Sequence, residues 1–160
     1  MSTSSTGIGS ADDADVIEFL AAVTGVRRMI SSQIVPVARK RKISERALGI
    51  LFLANIGLDR PSLLIEFLNV LPSTITADVE KLVEAKLIER KPLPTDRRAT
   101  RLAVTRRGLN AQQEALGQLR SHFQSRASRV SLEDLRSCID TLQKITADLE
   151  PAMPPVRAQP

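Results

Sequence analysis

Residues 85–108 read AKLIERKPLPTDRRATRLAVTRRG, and this stretch decides the fold. Leu87 to Lys91 have the composition of a short β-strand, and a proline-punctuated turn from Pro92 to Arg98 follows them. A second strand then alternates between two sides, with Thr100, Leu102 and Val104 inward and Arg101 outward. The segment predicts a β-hairpin with a cationic tip, which can lie along a nucleic-acid backbone and insert a guanidinium into a minor groove. A solvated surface hairpin with scattered arginines is the alternative, and the preceding residues bear on the choice.

Two helices separated by a turn are predicted directly before the hairpin. The short first one starts with Pro61 at the first helical position and ends at Leu68, where Asn69 tolerates the left-handed conformation of a tight turn. The second runs from Pro72 to about Ala85. Its buried side is marked by Ile75, Val79, Leu82 and Val83, and its opposite face by Thr74, Ala77, Asp78 and Lys81.

A more apolar helix precedes this pair. It begins at Ser44, a good N-cap, and Ile43 and Leu48 are placed as a hydrophobic staple. Its body, ALGILFLANIGL, is apolar on nearly every side. Such a pattern is typical of a helix that is buried at the centre of a fold.

Helices with apolar stripes flank this central region. The first is predicted from Asp13 to Ala38, with acidic residues at its start and a basic run after its end. Thr105 can cap a fifth helix, and Ser131 with Asp134 forms a capping box for a sixth. Apolar residues recur along these two at coiled-coil-like spacing: Leu109, Leu116, Leu119, Phe123, Val130, Leu132, Leu135, Ile139, Leu142, Ile145 and Leu149. Residues 1–11 and the proline-rich residues 151–160 are expected to be disordered tails.

Composition narrows the class of partner. At 160 residues with 2% aromatics, the chain is expected to be one domain with an aliphatic core. RNA-binding sheets and single-strand grooves stack bases on aromatic side chains, so both are disfavoured. The net charge of +5 is concentrated in two clusters, Arg39–Arg46 and Lys86–Arg107. Clustered cations favour a polyanion, either nucleic acid or an acidic membrane surface, although basic loops that only aid solubility remain an alternative.

Other classes receive little support. Cys138 and His122 are the only cysteine and histidine, so neither a disulfide framework nor a cysteine metal site is expected. Cys138 lies within the apolar seam of the predicted sixth helix, and we expect a buried small hydrophobe there and not a redox sensor. No nucleophile motif, phosphate-cradling glycine loop or metal-ligand spacing suggests an enzyme. No apolar run is long enough to span a membrane, and the first residues lack the pattern of a signal peptide. We therefore expect a cytoplasmic protein that is not an enzyme and needs no cofactor or metal.

Helix, turn, helix and charged hairpin together make a winged helix-turn-helix, and here the chain resembles the MarR family of bacterial transcription regulators. The core of the resemblance reads LPSTITADVEKLVEAKLIERKPLPTDRRATRLAVTRRG. The family pattern combines a Pro-Ser-Thr start to the recognition helix, a Leu-Ile/Val-x-Arg strand, a D-x-R wing tip and a closing Leu/Val-Thr-x-x-Gly. Asp96 and Arg98 occupy the D-x-R, and Thr105 and Gly108 occupy the T-x-x-G. The flanking helices match the family only in length and order.

The resemblance implies a mainly α fold with a small β-hairpin wing. A single domain would span about residues 12–150, with the winged helix-turn-helix at about 44–105 and dimerisation helices at about 13–38 and 109–149. The implied assembly is a homodimer that reads pseudo-palindromic double-stranded DNA, with half-sites about one helical turn apart. The family also implies a small-molecule effector, here of unknown identity, bound between the dimer helices and the winged domain. From periodicity alone, the apolar seams fit packing within one chain equally well.

The resemblance also assigns candidate DNA contacts. In the recognition helix they are Ser73, Thr74, Thr76, Ala77 and Lys81. In the wing, Arg98 would enter the minor groove with Asp96 orienting it by a charge-assisted hydrogen bond, while Arg97 and Arg101 would contact phosphates. The alternative readings are that Ser73 and Thr74 only satisfy first-turn amides and that the Asp96–Arg98 pair only stiffens the wing.

Several positions depart from the family pattern. Ala77 stands where the family often has a base-contacting arginine, and Asp78 and Glu80 put negative charge near the predicted groove face. Leu71 replaces a polar N-cap, and Lys86 replaces a common glycine that could be needed for a positive φ. Two functions therefore stay open. The first is a sequence-specific regulator, a ligand-responsive repressor. The second is a winged-helix dimerisation or protein-interaction module with only weak, non-specific DNA binding.

Overall fold

The computed structural model describes residues 11–93, 100–126 and 129–148. Within these residues the chain is mainly α-helical, with one antiparallel β-hairpin between the fourth and fifth helices, which confirms the predicted fold class. The elements are α1 (Asp13–Lys40), α2 (Glu45–Asn55), α3 (Pro61–Leu68), α4 (Pro72–Glu84), β1 (Ile88–Pro92), β2 (Thr100–Val104), α5 (Arg106–Gln124) and α6 (Leu132–Ile145). The tails predicted at residues 1–11 and 151–160 fall almost entirely outside the described residues, as does Leu149.

The chain divides into two compact units within α1, after Ser32. In the first unit the start of α1 is closed by two reciprocal bonds, Asp12 N to Asp15 Oδ2 at 3.1 Å and Asp15 N to Asp12 Oδ1 at 2.9 Å. Carboxylates at this position also favour the positive end of the helix dipole. The helix continues to Lys40, two residues beyond the predicted end.

The core of the second unit is built around α2. Ala47, Leu48, Ile50 and Leu51 are fully buried, which confirms the prediction of a central helix. This helix packs against α4, α5 and β2. The one buried polar group on α5, the Gln112 amide, donates to the carbonyl of Leu51. The other large side chains that are fully buried are Leu64, Ile75, Val79, Leu82, Leu87, Ile88 and Leu102.

Local capping signals are realised as predicted. Ser44 Oγ accepts from Ala47 N at 2.9 Å, and Thr105 Oγ1 accepts from Gly108 N at 3.1 Å. Ser131 and Asp134 form the reciprocal capping box at the start of α6. The hydrogen bonds from Ser131 lower the pKa of the Asp134 carboxyl. These three caps fix where α2, α5 and α6 begin.

Helices α1, α3 and α4 end in the same way, with a non-glycine residue in the left-handed region. Lys42, Asn69 and Lys86 have φ values of 57°, 48° and 58°. After α4, Lys86 N donates to Val83 O and Leu87 N donates to Leu82 O, both at 2.9 Å, which is the Schellman pattern. The same pair of bonds follows α1 and α3. The structure thus confirms that the position of Lys86 requires a positive φ.

The wing is fixed to the rest of the unit at its base. The carbonyl of Leu87 accepts from Thr105 N at 3.0 Å and from Thr105 Oγ1 at 3.1 Å. Gly108 is buried against the same carbonyl, and a Cβ there would also lie 2.7 Å from Val104 Cγ1. Leu102 N donates to Asp59 O at 2.6 Å, which ties β2 to the α2–α3 loop. The T-x-x-G motif therefore joins β1, β2 and α5.

The end of α1 is joined to α5 by an ionic contact. Glu114 pairs with the Arg41 guanidinium and with Lys40 Nζ, the latter at 3.2 Å. Hydrogen bonds from Arg41 and then Lys40 hold the pKa of the Glu114 carboxyl below its usual range. Because this pKa is lowered by folding, the contribution to stability is present above the ordinary glutamate pKa and is lost as the pH falls through the lowered one.

Four predictions about individual positions were wrong. Val83, expected on the buried side of α4, is 39% exposed, and Thr100, expected to point inward, is exposed. Cys138, expected to be a buried small hydrophobe, is exposed. Asp78, expected on the outer face of α4, is 6% exposed. Within the described residues, Leu116 and Phe123 of the α5 seam are exposed and no residue of α6 is buried.

We predict that Lys42→Gly and Lys86→Gly each raise the free energy of unfolding by about 1 kcal/mol, because glycine has no Cβ to strain in the left-handed region. The measurement is urea unfolding followed by circular dichroism. The matched control is Lys81→Gly, at a helical position in the last turn of α4, which should lower stability by a similar amount. Equal destabilisation by all three substitutions would contradict the prediction.

We predict that Gly108→Ala lowers the free energy of unfolding by roughly 1–3 kcal/mol, because the new methyl group overlaps the Leu87 carbonyl and crowds Val104. Gly49→Ala in α2 is the control, since its added Cβ meets nothing within 4 Å. That control should be neutral or stabilising by up to about 1 kcal/mol. A Gly108→Ala protein as stable as the parent would show that the close packing of the wing base is wrong.

Candidate nucleic-acid interface

The start of α4 is open to an external partner. Leu71 is its N-cap and makes no side-chain capping bond, and Pro72 occupies the first helical turn. Ser73 is exposed and Thr74 is half-buried. Leu71 offers no side-chain acceptor, Pro72 has no amide hydrogen, and Thr74 N donates to the Leu71 carbonyl at 3.0 Å. The Ser73 amide is therefore the first-turn donor left for solvent or a ligand, and an anion is the favoured ligand at this end of a helix.

The outer face of α4 presents small and mixed groups. Ser73, Thr76, Ala77, Glu80 and Lys81 are exposed. The Thr76 hydroxyl donates to the Pro72 carbonyl at 3.0 Å, so its remaining capacity is as an acceptor. Lys81 Nζ lies 3.0 Å from Glu84 Oε2 in a pair that is exposed on both sides, which leaves the ammonium group free to exchange partners.

Asp78 faces inward and is paired. Its Oδ1 accepts from Ser44 Oγ at 2.8 Å, and its Oδ2 lies 2.6 Å from Arg46 Nε. The expectation that Asp78 adds negative charge to the groove face was wrong. The physical reason is that a buried carboxylate is tolerated when hydrogen bonds and an opposite charge compensate it. Of the two acidic departures, only Glu80 lies on the exposed face.

The hairpin carries cations on its strands. β1 and β2 pair antiparallel, with Lys91 directly opposite Arg101 and both side chains exposed. Like charges at directly opposed positions repel each other in the free protein. A polyanion removes that repulsion. Lys91 Nζ is also 3.5 Å from Glu89 Oε2, a weak exposed pair.

The predicted contact residues divide into two groups. The structure places Ser73, Thr74, Thr76, Ala77 and Lys81 on α4, which packs against β1. It places Arg101 on β2, the strand that pairs with β1. Asp96, Arg97 and Arg98 lie outside the described residues.

The basic cluster Arg39–Arg46 is not one free cationic surface. Lys40 and Arg41 are bound to Glu114, and Arg46 is bound to Asp78. Lys91 and the Ser44–Arg46 contact with α4 were missed from the sequence. The antiparallel register could have placed Lys91 opposite Arg101, whereas no local signal connects Arg46 with a residue on another helix.

Over 11–93, 100–126 and 129–148, no group of three or more His, Cys, Asp or Glu residues could hold a metal ion. Nor does any described helix combine the length and apolarity needed to cross a membrane.

Comparison with known proteins agrees with this geometry. Residues 55–100 match the model of the MarR family. A comparison with curated proteins finds no match. Among solved structures, the transcriptional regulator Tm0710 from Thermotoga maritima is 25% identical, with a TM-score of 0.60 over 83% of this chain and 94% of that one.

Two further structures carry partners. CouR from Rhodococcus jostii RHA1, bound to p-coumaroyl-CoA, is 22% identical, with a TM-score of 0.64 over 93% of this chain and 100% of that one. A mutant MarR from E. coli, complexed with operator DNA, is 17% identical, with a TM-score of 0.62 over 84% of this chain and 99% of that one. Together with the matched segment, these neighbours confirm the resemblance and the winged-helix fold.

Proposed function

We propose that this chain is a MarR-family transcription regulator that binds double-stranded DNA sequence-specifically as a homodimer and acts as a ligand-responsive repressor. In this proposal α4 reads the major groove and the wing at residues 92–101 reads the minor groove. The observation that carries the proposal is the exposed face of α4 beside a hairpin on which Lys91 and Arg101 oppose each other. That arrangement is unfavourable in isolation and favourable against phosphates.

The exposed face of α4 suits a major groove, which is wide enough to admit a helix. We assign the hydroxyls of Ser73 and Thr74 and the Ser73 amide to phosphate oxygens at the helix start. Ala77 and the methyl group of Thr76 can contact thymine methyls, and Lys81 can exchange Glu84 for a phosphate. Small residues at these positions allow the helix backbone to approach the base edges closely.

The wing contributes cations beside this helix. Arg101 and Lys91 are assigned to phosphates, since both are exposed and on opposed positions of the two strands. By resemblance, Arg98 is assigned to the minor groove, Asp96 to its orientation and Arg97 to a phosphate. The wing base at Thr105 holds these strands at a fixed place relative to α4, because Leu87 follows directly from that helix.

The homodimer is supported by apolar surface that the single chain leaves uncovered. On α6, Leu132, Ile139, Leu142 and Ile145 are between 39% and 61% exposed. Leu116 and Phe123 on α5 are also exposed. In the other unit, α1 exposes Val16, Ile17, Phe19, Leu20, Val23 and Val26. Helices with one continuous apolar face are stable in water when that face is covered, and a second copy of the chain would cover it.

Ligand response is the part of the proposal that rests on relatives alone. CouR holds p-coumaroyl-CoA and the E. coli MarR mutant holds operator DNA, so both kinds of partner occur on this fold. The alternative, an interaction module with weak DNA binding, was motivated by Asp78 and Glu80. With Asp78 buried and paired, only Glu80 supports it, and we therefore favour the regulator.

We predict tight, salt-dependent binding to duplex DNA from just upstream of the protein's own gene. Arg98→Ala should lower the affinity by about tenfold or more. The measurement is fluorescence anisotropy over a salt series, beside a scrambled duplex. Arg136→Ala, an exposed arginine on α6, is the control and should bind like the parent. Equal weak binding to both duplexes would favour the interaction module. An unchanged affinity for Arg98→Ala would remove the wing assignment.

We predict that the chain sediments as a dimer, at twice its 17.5 kDa mass, and that Leu142→Glu shifts it towards the monomer. The reason is that a carboxylate placed in the apolar seam would be buried without a partner at the interface. Ser137→Glu introduces the same charge on the opposite, polar side of α6 and should leave the dimer intact. Sedimentation equilibrium distinguishes these outcomes, and a monomeric parent at micromolar concentration would refute the dimer.

A further inference from the structure

We propose that Arg46 is a DNA-phosphate contact and that Asp78 is the residue that positions it. The inference rests on the proposed DNA-binding function and adds a contact from α2, outside both the recognition helix and the wing. It also gives Asp78 a role in binding, although the residue itself faces away from the groove.

Asp78 is held rigidly by the first turn of α2. Its two carboxylate oxygens are used separately, Oδ1 by the Ser44 hydroxyl at 2.8 Å and Oδ2 by Arg46 Nε at 2.6 Å. The same Ser44 Oγ accepts from Ala47 N as the N-cap of α2. Asp78 is 6% exposed, so its carboxylate lies out of solvent, where hydrogen bonds to it are stronger than in water.

Arg46 uses only part of its hydrogen-bonding capacity in this pair. The guanidinium has five N–H donors, and Asp78 engages the one on Nε. Within the described residues, the terminal nitrogens Nη1 and Nη2 make no hydrogen bond, and the side chain is 43% exposed. The carboxylate therefore holds the guanidinium at Nε and leaves the Nη1 and Nη2 donors for another acceptor. These two nitrogens form a planar fork that can donate two parallel hydrogen bonds to one phosphate.

The position of Asp78 on α4 places the Arg46 guanidinium beside the exposed face that we assign to the major groove. Successive helix positions are about 100° apart, so Asp78 lies about 100° from Ala77, at the edge of the exposed face. Thr74 and Lys81 lie between these two on the helical wheel, whereas Thr76 and Glu80 lie on the other flank. Arg46 and Lys81 thus make one flank of α4 cationic. A helix in the major groove has base edges in front of it and phosphate strands at its flanks.

Fixing an arginine before binding lowers the cost of binding. A free arginine side chain loses much rotamer freedom when it contacts a phosphate, whereas one already held at Nε has lost part of that freedom during folding. Simple electrostatics gives the opposite expectation, because removing the Asp78 charge makes the protein more positive. The two explanations therefore predict opposite signs for the same substitution.

The test compares Asp78→Asn, the double variant Arg46→Gln with Asp78→Asn, and the parent, each as the full-length chain. The double variant keeps the net charge and leaves no buried charge unpaired, so it should fold. Melting temperature and sedimentation verify fold and oligomeric state. Fluorescence anisotropy on the upstream and scrambled duplexes then gives the affinity and its dependence on salt concentration.

Asp78→Asn should bind about threefold to tenfold more weakly than the parent, despite its extra positive charge, with little change in salt slope. The double variant should bind DNA with an affinity roughly tenfold or more below that of the parent. Its slope of log affinity against log salt should become shallower by about 0.9 for each lost contact, or about two units for a dimer. A merely structural pair would change the melting temperature and leave that slope unaltered.

The outcomes separate this inference from the function on which it rests. If the parent binds DNA with a steep salt slope but the double variant keeps that slope, Arg46 does not contact phosphate and only this inference fails. Tighter binding by Asp78→Asn would remove the positioning role. If the parent binds neither duplex, the proposed function and this inference both fail.

Discussion

The arrangement of α4, the hairpin and α5 depends on the carbonyl of Leu87. Leu87 lies between the end of α4 and the start of β1, and its carbonyl accepts hydrogen bonds from the amide and the hydroxyl of Thr105, which directly follows β2. Gly108 in the first turn of α5 packs against this carbonyl, where any side chain would collide. Helix α4, the hairpin and α5 therefore share one hydrogen-bonded junction. This junction sets the relative positions of these elements, and with them the relative positions of their exposed faces.

Features governed by neighbouring residues could be predicted from the sequence. The caps at Ser44, Thr105 and Ser131 depend on groups three residues away, and each forms as expected. The left-handed turn at Lys86 follows from its place between a helix and a strand. The body of α2 is apolar on nearly all sides, and only the centre of a fold can accommodate that pattern. The wing, with its paired strands, follows from the alternation around residues 88–104.

Asp78 shows what the sequence could not provide. On a helical wheel it stands at the edge between the two faces of α4, and polarity alone assigns it to solvent. Its real environment is decided by Ser44 and Arg46, more than thirty positions earlier, which meet it only in the folded chain. Val83, at the opposite edge of the same helix, was predicted to be buried and is exposed. Cys138 and the apolar seam of α6 differ in kind, because periodicity marks a face for burial without saying which chain buries it.

The opposed cations on the wing have a consequence for its energetics. Lys91 and Arg101 face each other on a two-stranded sheet, a structure that is only marginally stable by itself. Their mutual repulsion opposes strand pairing, and any polyanion that neutralises them favours it. By thermodynamic linkage the two effects are equal: the free energy that strand pairing gains from the ligand is the free energy that the ligand gains from strand pairing. Strand pairing in this hairpin and binding of a polyanion are therefore coupled equilibria, and each is strengthened by the other to the same extent.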